Sequence, residues 1–431
     1  VGLGTVGSGV VRLLVDSAEH ITRHAGRPIV VERVVVHDPA KPRSVAVPGG
    51  RISADIRDIS RDPSISVAVL LVGGLEPART MMIDLLVHGK DVVTANKALL
   101  AEHGPELFEL ARRHGRSIAF EAAVAGGIPI VAAIGECLAA NRIESIRGIL
   151  NGTSNFILTR MEEDGADYAE ALLQAQAKGF AEADPSMDVD GTDATQKLAI
   201  LAHLAFGVWV PWHEIPRTGI DGLDIDLLTY AAELGYRIRL VAVASRAPGP
   251  GGGREGVRLA LRVAPALVKI GTPLAETRGA YNAVSIVGDA VGRMFFHGLG
   301  AGQMPTASAV VADVIDTVVG RAGITFRTTG VLESETPAAR LVGAETQQRH
   351  FIRLHVADRP GVLARITGVL GDHAISIASV IQHATGASSD GVPLVIMTHA
   401  CGSAALERAL AMIDASDVVR GRSVCLGVLD E

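Results

Sequence analysis

Residues 1–16 read VGLGTVGSGVVRLLVD, with glycines at 2, 4 and 7 and the apolar residues Val10, Val11 and Leu14 directly behind them. The glycines permit a tight turn and a close backbone approach to a pyrophosphate. The apolar spacing begins a helix whose N-terminal N–H groups favour that anion. A G-x-G-x-x-G by itself also occurs in ordinary turns, so its meaning depends on the flanks. Behind it, IVVERVVVHD (29–38) is a strand candidate ending at Asp38. An acid there binds a ribose hydroxyl, although Asp38 lies further along than is usual. Lys41 and Arg43 follow, and they suit a 2′-phosphate instead. The two signals conflict, so NAD and NADP both stay open. Only Val1 precedes the first glycine, whereas a central strand needs about five residues. The chain as given is therefore expected to make an incomplete sheet with weakened cofactor binding, and apolar residues are expected upstream.

Further strand and helix candidates alternate as a parallel α/β sheet requires. VAVLLVGG (67–74) reads as a strand and Glu76 to Val87 as a helix. DVVTANK then gives a short strand through Thr94–Asn96 with Lys97 at its exit, where ligands of open parallel sheets gather. SIAFEAAVAGGIPIVAAIGECL (117–138) is a strand, a glycine turn and a helix with Pro129 near its start. Glu121 and free turn carbonyls there suit either a simple strand-to-helix turn or a hard monovalent cation. HGLGAGQMPTASAVVADVID (297–316) holds a second glycine-rich helix start.

The chemically densest stretch is AQAKGFAEADPSMDVDGTDATQK (175–197). Glu182, Asp184, Asp188 and Asp190 lie among Gly179, Pro185 and Gly191, in what reads as a loop. Thr192 is a candidate N-cap for a mostly buried helix continuing as LAILAHLAFG. Asp193 and Lys197, four apart, share one face of it. An acidic surface loop with an ordinary ion pair is one account of this stretch. A lysine held at the edge of the core, able to bind and protonate a small polar substrate, is the other. Before it, IESIRGILNGTSNFILTRMEEDG (143–165) is a strand running into a helix, where Thr153, Ser154 and Asn155 either line a substrate site or cap the helix. Strand candidates at 238–246, 257–268 and 281–288 imply a mixed or antiparallel sheet, with APGPGGGREG (247–256) as a surface loop. Residues 320–348 read as a polar connector. The tail, 349–431, reads as a separate unit with strand, helix, strand, strand, helix, strand order and a D-R-P-G turn at 358–361.

Composition narrows the classes. At 431 residues, 48% hydrophobic and 20% charged, the chain has core enough for two or three domains. A net charge of −7, a pI near 6.1 and the lack of a dense basic run argue against nucleic acid. The apolar runs 67–75 and 198–210 are shorter than a membrane span. Cys137, Cys401 and Cys425 are too few and scattered for a disulfide framework or a zinc site, which fits a reducing cytoplasm.

The run A-x3-GFAEADP-x2-DVDG-x-D-x3-K from Ala175 to Lys197 resembles the signature of homoserine dehydrogenases, as do Asn96–Lys97 and NGTSNFIL. The tail resembles an ACT domain. The resemblance implies an α/β protein in three parts. These are a Rossmann-type NAD(P)-binding domain at 1–130 that recruits about 300–320, an α+β substrate and dimerisation domain at 131–299, and a βαββαβ ACT regulatory domain at 349–431. It implies an oxidoreductase interconverting L-homoserine and L-aspartate 4-semialdehyde, on the route to threonine, methionine and isoleucine. Catalytic roles fall on Lys197 and Lys97, and substrate binding on Glu182 and Asp193. Cofactor contacts fall on Gly2, Leu3, Gly4, Thr5, Val6, Gly7, Lys97, Gly179 and Gly302, with NADP or NAD bound. A sodium position maps to Glu121 and the backbones of Val124, Gly126 and Ile128. Threonine is the implied effector, at a turn where Asp358 and Gly361 meet it, and a homodimer or homotetramer the implied assembly. The alternatives are another ACT-bearing oxidoreductase of amino-acid biosynthesis, or a sensor of amino acids or redox state without catalysis.

Overall fold

Helix Thr5–Asp16 starts at once after the glycine turn and buries Val10, Val11 and Leu14, as the spacing requires. The computed structural model of the chain describes residues 1–247, 257–328, 340–341, 347–383 and 391–429. The loop expected at 247–256 falls, apart from its first residue, outside the described residues.

The first domain has five short strands: β1 (Val34–Val35), β2 (Ile52–Ser53), β3 (Val67–Leu70), β4 (Asp91–Thr94) and β5 (Ile118–Ala119). All their pairings are parallel, β1 with β2 and β3 with β4 with β5. Val1 and Gly2 bridge the two groups. The Val1 amino group donates to the Val69 carbonyl, Leu71 N–H to Val1 and Gly2 N–H to Val35. A cavity of about 400 Å³ beside them is lined by Leu3, Val10, Val31, Val69 and Val314 among others. The strand expected over 29–38 is reduced to two residues, Val34–Val35, paired with Ile52–Ser53. Helix Gln303–Val318 returns to pack on helix Thr5–Asp16 and on β3 to β5, as expected for a closing element.

The second domain is antiparallel. Strands β6 (Ile143–Ile149), β7 (Tyr236–Arg246), β8 (Arg258–Lys269), β9 (Tyr281–Gly288) and β10 (Gly292–Leu299) run in the order β10-β9-β6-β7-β8. The edge strand β10 is absent from the sequence-based assignment. Its residues alternate between exposed and half-buried, with no apolar run to announce a strand. Residues 320–328 also differ from a polar connector: they form helix Arg321–Thr328, which buries Phe326 against Phe108.

The tail folds in the expected order, through His350–Val356, helix Val362–Asp372, Ile377–Ile381, Val392–Thr398, helix Ser403–Asp414 and Val424–Leu429. It has its own core around Ile352, Leu354, Ile366, Leu370 and Leu406. Its sheet, however, is not freestanding. Val424–Leu429 pairs in parallel with β8, Gly427 opposite Ala266, so one ten-stranded sheet runs through both units. Phe351, Leu426 and Val428 join the main core, and Arg353 binds Asp224 at 2.6 Å across the junction. Among the described residues no helix is long and apolar enough to cross a membrane.

Candidate active site

The signature stretch folds as helix Tyr168–Ala177, an exposed loop, the short helix Ser186–Val189 and the long helix Thr192–Phe206. Gly191, not Thr192, caps the last helix, with φ of 86°, the left-handed region that favours glycine. Thr192 stands one position inside, donating its N–H and hydroxyl to the Asp190 carboxylate. Asp188 sits in the short helix rather than in open loop.

Asp193 is the hub. Its Oδ2 accepts from Lys197 Nζ at 2.8 Å and from Asn151 Nδ2 at 2.8 Å, and its Oδ1 lies 3.1 Å from Lys97 Nζ. The Lys197 ammonium also donates to the Leu150 carbonyl at 2.8 Å. Burial alone would push the Asp193 carboxyl up, but Lys197, Lys97 and Asn151 together hold it well below the usual carboxylate range. Lys97 is shifted up, chiefly by the Asp193 charge, with Asp188 and Glu182 adding to the field. The two lysines converge on one dehydrated carboxylate with Asp188 close by, and the cluster is open on the Lys97 side, where 34% of the side chain is exposed against 11% for Lys197.

Local sequence explains how Lys97 arrives there. Asn96 caps helix Lys97–Arg113 by accepting the Leu99 N–H, while its Nδ2 donates to the Val72 and Gly74 carbonyls beyond β3. Lys97 is thus the first residue of a helix at the carboxyl end of β4, not a loop lysine. Thr153, Ser154 and Asn155 lie in the first turn of helix Gly152–Asp164, whose cap is the side chain of Asn151. Thr153 Oγ1 donates to Phe180, Ser154 Oγ to Asp188, and Asn155 Nδ2 to Thr277, Gly279 and Tyr281 carbonyls. Thr153 and Ser154 thereby tie down the signature stretch, and Asn155 anchors the segment that leads into β9. Asn151 was missed by sequence reasoning, although it opens the NGTSNF segment; it also donates to Asp188 Oδ1 at 2.7 Å. Asp188 is shifted up by burial, an effect that this bond opposes. Glu182 is exposed at the rim of the cluster, and Gly179 turns the chain just before it with φ of 72°.

The glycine turn fits a dinucleotide. A Cβ at Gly7 would lie 2.3 Å from the Gly2 carbonyl oxygen, and one at Gly2, which has φ of 88°, 3.0 Å from that of Leu71. Only hydrogen at these positions leaves the turn tight and the N-terminal N–H groups of helix Thr5–Asp16 accessible. Gly302, with φ of 119°, begins the helix whose Gln303 Nε2 donates to the Thr5 carbonyl at 2.9 Å. That brings the second glycine-rich segment to the first. Asp38 accepts the Ala40 N–H at 2.9 Å, and Arg43 folds back onto the Asp38 carbonyl.

The Glu121 carboxylate accepts the N–H groups of Val131 and Ala132, at 2.9 and 2.8 Å. Ile128 lends its carbonyl to Ile130, and Ala125 between them has φ of 49°. Burial pushes Glu121 up, and burial together with the Glu121 charge pushes Asp313 well up. No group of three or more His, Cys, Asp or Glu arranged for a metal occurs among the described residues.

Three comparisons bear on this geometry. Residues 2–121 match the family model described as homoserine dehydrogenase, NAD binding domain, residues 129–315 that of homoserine dehydrogenase, and residues 350–413 that of the ACT domain. The chain is 41% identical over 436 residues to a homoserine dehydrogenase of Pseudomonas aeruginosa, covering 99% of this chain and 97% of that one. It is 41% identical over 413 residues to one of Synechocystis, covering 92% and 91%. A crystal structure of a homoserine dehydrogenase from Thiobacillus denitrificans superposes with a TM-score of 0.91 at 41% identity, covering 100% of this chain and 97% of that one. On these matches the chain is a member of the homoserine dehydrogenase family with an ACT domain.

Proposed function

We propose that Lys197 exchanges the proton at the C4 oxygen as L-homoserine and L-aspartate 4-semialdehyde interconvert, with Lys97 and Asp193 fixing the charge around it. The observation carrying this is the shared carboxylate: Asp193 and the Leu150 carbonyl take two of the three Lys197 ammonium donors. The third is left for substrate. In reduction, negative charge develops on the aldehyde oxygen, and a preorganised ammonium both stabilises and protonates it. Glu182, exposed at the rim, takes the substrate α-ammonium, and Asp193 holds the reacting end through its lysines. Bound nicotinamide gives or takes the hydride at C4. Gly2, Leu3, Gly4, Thr5, Val6 and Gly7 would cradle its pyrophosphate, and Gly179, Gly302 and Lys97 would complete the cofactor site.

NADP is the form we propose. The Asp38 carboxylate is turned to its own loop by Ala40, and Arg43 stands beside it as a phosphate partner. A hyperthermophilic archaeal homoserine dehydrogenase, 25% identical with a TM-score of 0.56, is described in complex with NADPH. Sodium held by Glu121 and the carbonyls of Val124, Gly126 and Ile128 is a further proposal, since each acceptor keeps a free lone pair. So are threonine as effector at the Asp358–Gly361 turn, a homodimer or homotetramer, and a cytoplasmic location, which three free thiols suit. Gly361 has φ of 90° and caps helix Val362–Asp372, which leaves backbone N–H groups for a carboxylate.

The deciding experiment follows nicotinamide absorbance with homoserine, NAD and NADP in parallel, for the parent and Lys197→Ala. Loss of general acid help lowers kcat by about 10²–10⁴-fold with KM little changed. Turnover within about threefold of the parent would be too small for that role and would remove Lys197 from it.

A further inference from the structure

We infer that Asn282 is a positioning residue for Lys197, acting through the Leu150 carbonyl; this rests on the role given to Lys197 above. The register of β6 and β9 ends with Ile149 opposite Ala283. Beyond it the Asn282 side chain continues the ladder, Nδ2 donating to Leu150 O at 3.0 Å. The same oxygen accepts Lys197 Nζ at 2.8 Å. A carbonyl has two lone pairs, and the two donors occupy both. Leu150 follows the end of β6 and precedes the helix that carries Asn155, so the ladder alone does not orient its carbonyl. The amide of Asn282 does.

Stability gives no reason for this residue. Asn282 is 1% exposed and its Oδ1 has no hydrogen-bond partner among the described residues. A buried, unpaired amide oxygen costs free energy that an apolar β-branched residue at this strand position would avoid. The amide is also closely packed against glycine backbone. A Cβ at Gly300 would lie 2.0 Å from Asn282 Nδ2, and one at Gly152 would lie 3.5 Å from Oδ1. Gly300 in turn accepts the Gly126 N–H at 2.9 Å and stands two residues before Gly302. The amide therefore stacks between the segment leading to the cofactor-side helix and the carbonyl that aims the lysine. Its effect on the reaction passes through where the Lys197 ammonium points, not through contact with substrate.

The test is a double-mutant cycle in kcat with Asn282→Ala, Asn282→Asp and Lys197→Ala. Asn282→Asp keeps the shape against Gly300 and loses the donor. With Lys197 present, each Asn282 variant is expected to lower kcat by about 10–100-fold with both KM values within about twofold. In the Lys197→Ala background the same changes are expected to cost less than about twofold, because the group they position is gone. An equal cost in both backgrounds, a parent-like kcat in either folded variant, or failure of both variants to fold would overturn the inference. Full activity of Lys197→Ala alone would instead remove the proton-donor reading on which it stands.

Discussion

Replacing Asp193 by asparagine tests the hub of the site, because the change keeps the shape and removes the charge. In the native chain the carboxylate is 5% exposed and meets Lys197, Lys97 and Asn151. Removing one partner of a buried ion pair costs about 3–5 kcal/mol, since the cations left behind stay dehydrated. Lys97 keeps a third of its side chain in water, which lets solvent take over part of its share. The expected loss is therefore at the lower end, about 3 kcal/mol at pH 7. It also has a pH signature. Asp193 is depressed in the folded chain, so on acidification the unfolded chain takes up its proton first. The stabilisation is complete above the unfolded carboxylate value of about 4 and drains away as pH falls further towards the folded value. Urea midpoints for parent and variant, followed by far-ultraviolet circular dichroism between pH 7 and pH 3, measure both effects. A gap below about 1 kcal/mol at pH 7, in the range of an exposed pair, would refute the buried-hub account. So would a gap that stays constant on acidification.

Other perturbations follow from the same structure. Gly7→Ala places a methyl 2.3 Å from the Gly2 oxygen. It should weaken cofactor binding by at least about tenfold, equivalent to about 1.4 kcal/mol, while leaving homoserine affinity unchanged in nicotinamide fluorescence titrations. For the tail, excision at 349 would uncover the β8 edge and the apolar surface that Phe351, Leu426 and Val428 cover, so point changes are the cleaner probe. Asp358→Ala should blunt inhibition by threonine with uninhibited turnover intact, and equal sensitivity in parent and variant would place the effector elsewhere.

The sequence by itself determined the chemistry-bearing segments. Glycines at 2, 4 and 7 before a helical apolar pattern read as a turn into a helix, and both form as read. The four-residue spacing of Asp193 and Lys197 puts both on one helix face by geometry alone. The order of tail elements was equally legible, because periodicity two and periodicity 3.6 differ over such lengths. Local pattern did not reveal contacts between distant segments. Lys97 reaches Asp193 across 96 positions, and Asn151 and Asn282 reach the same cluster from two other strands and turns. No spacing rule connects such residues, since the fold alone sets their distance. Strand β10, too weakly patterned to be read, exists because β9 offers it a ladder, and helix Arg321–Thr328 because Phe108 offers Phe326 a place to be buried. The union of the tail with the central sheet was decided in the same way. An edge strand's unpaired N–H and C=O groups take whichever partner the tertiary structure brings alongside, and here β8 receives Val424–Leu429.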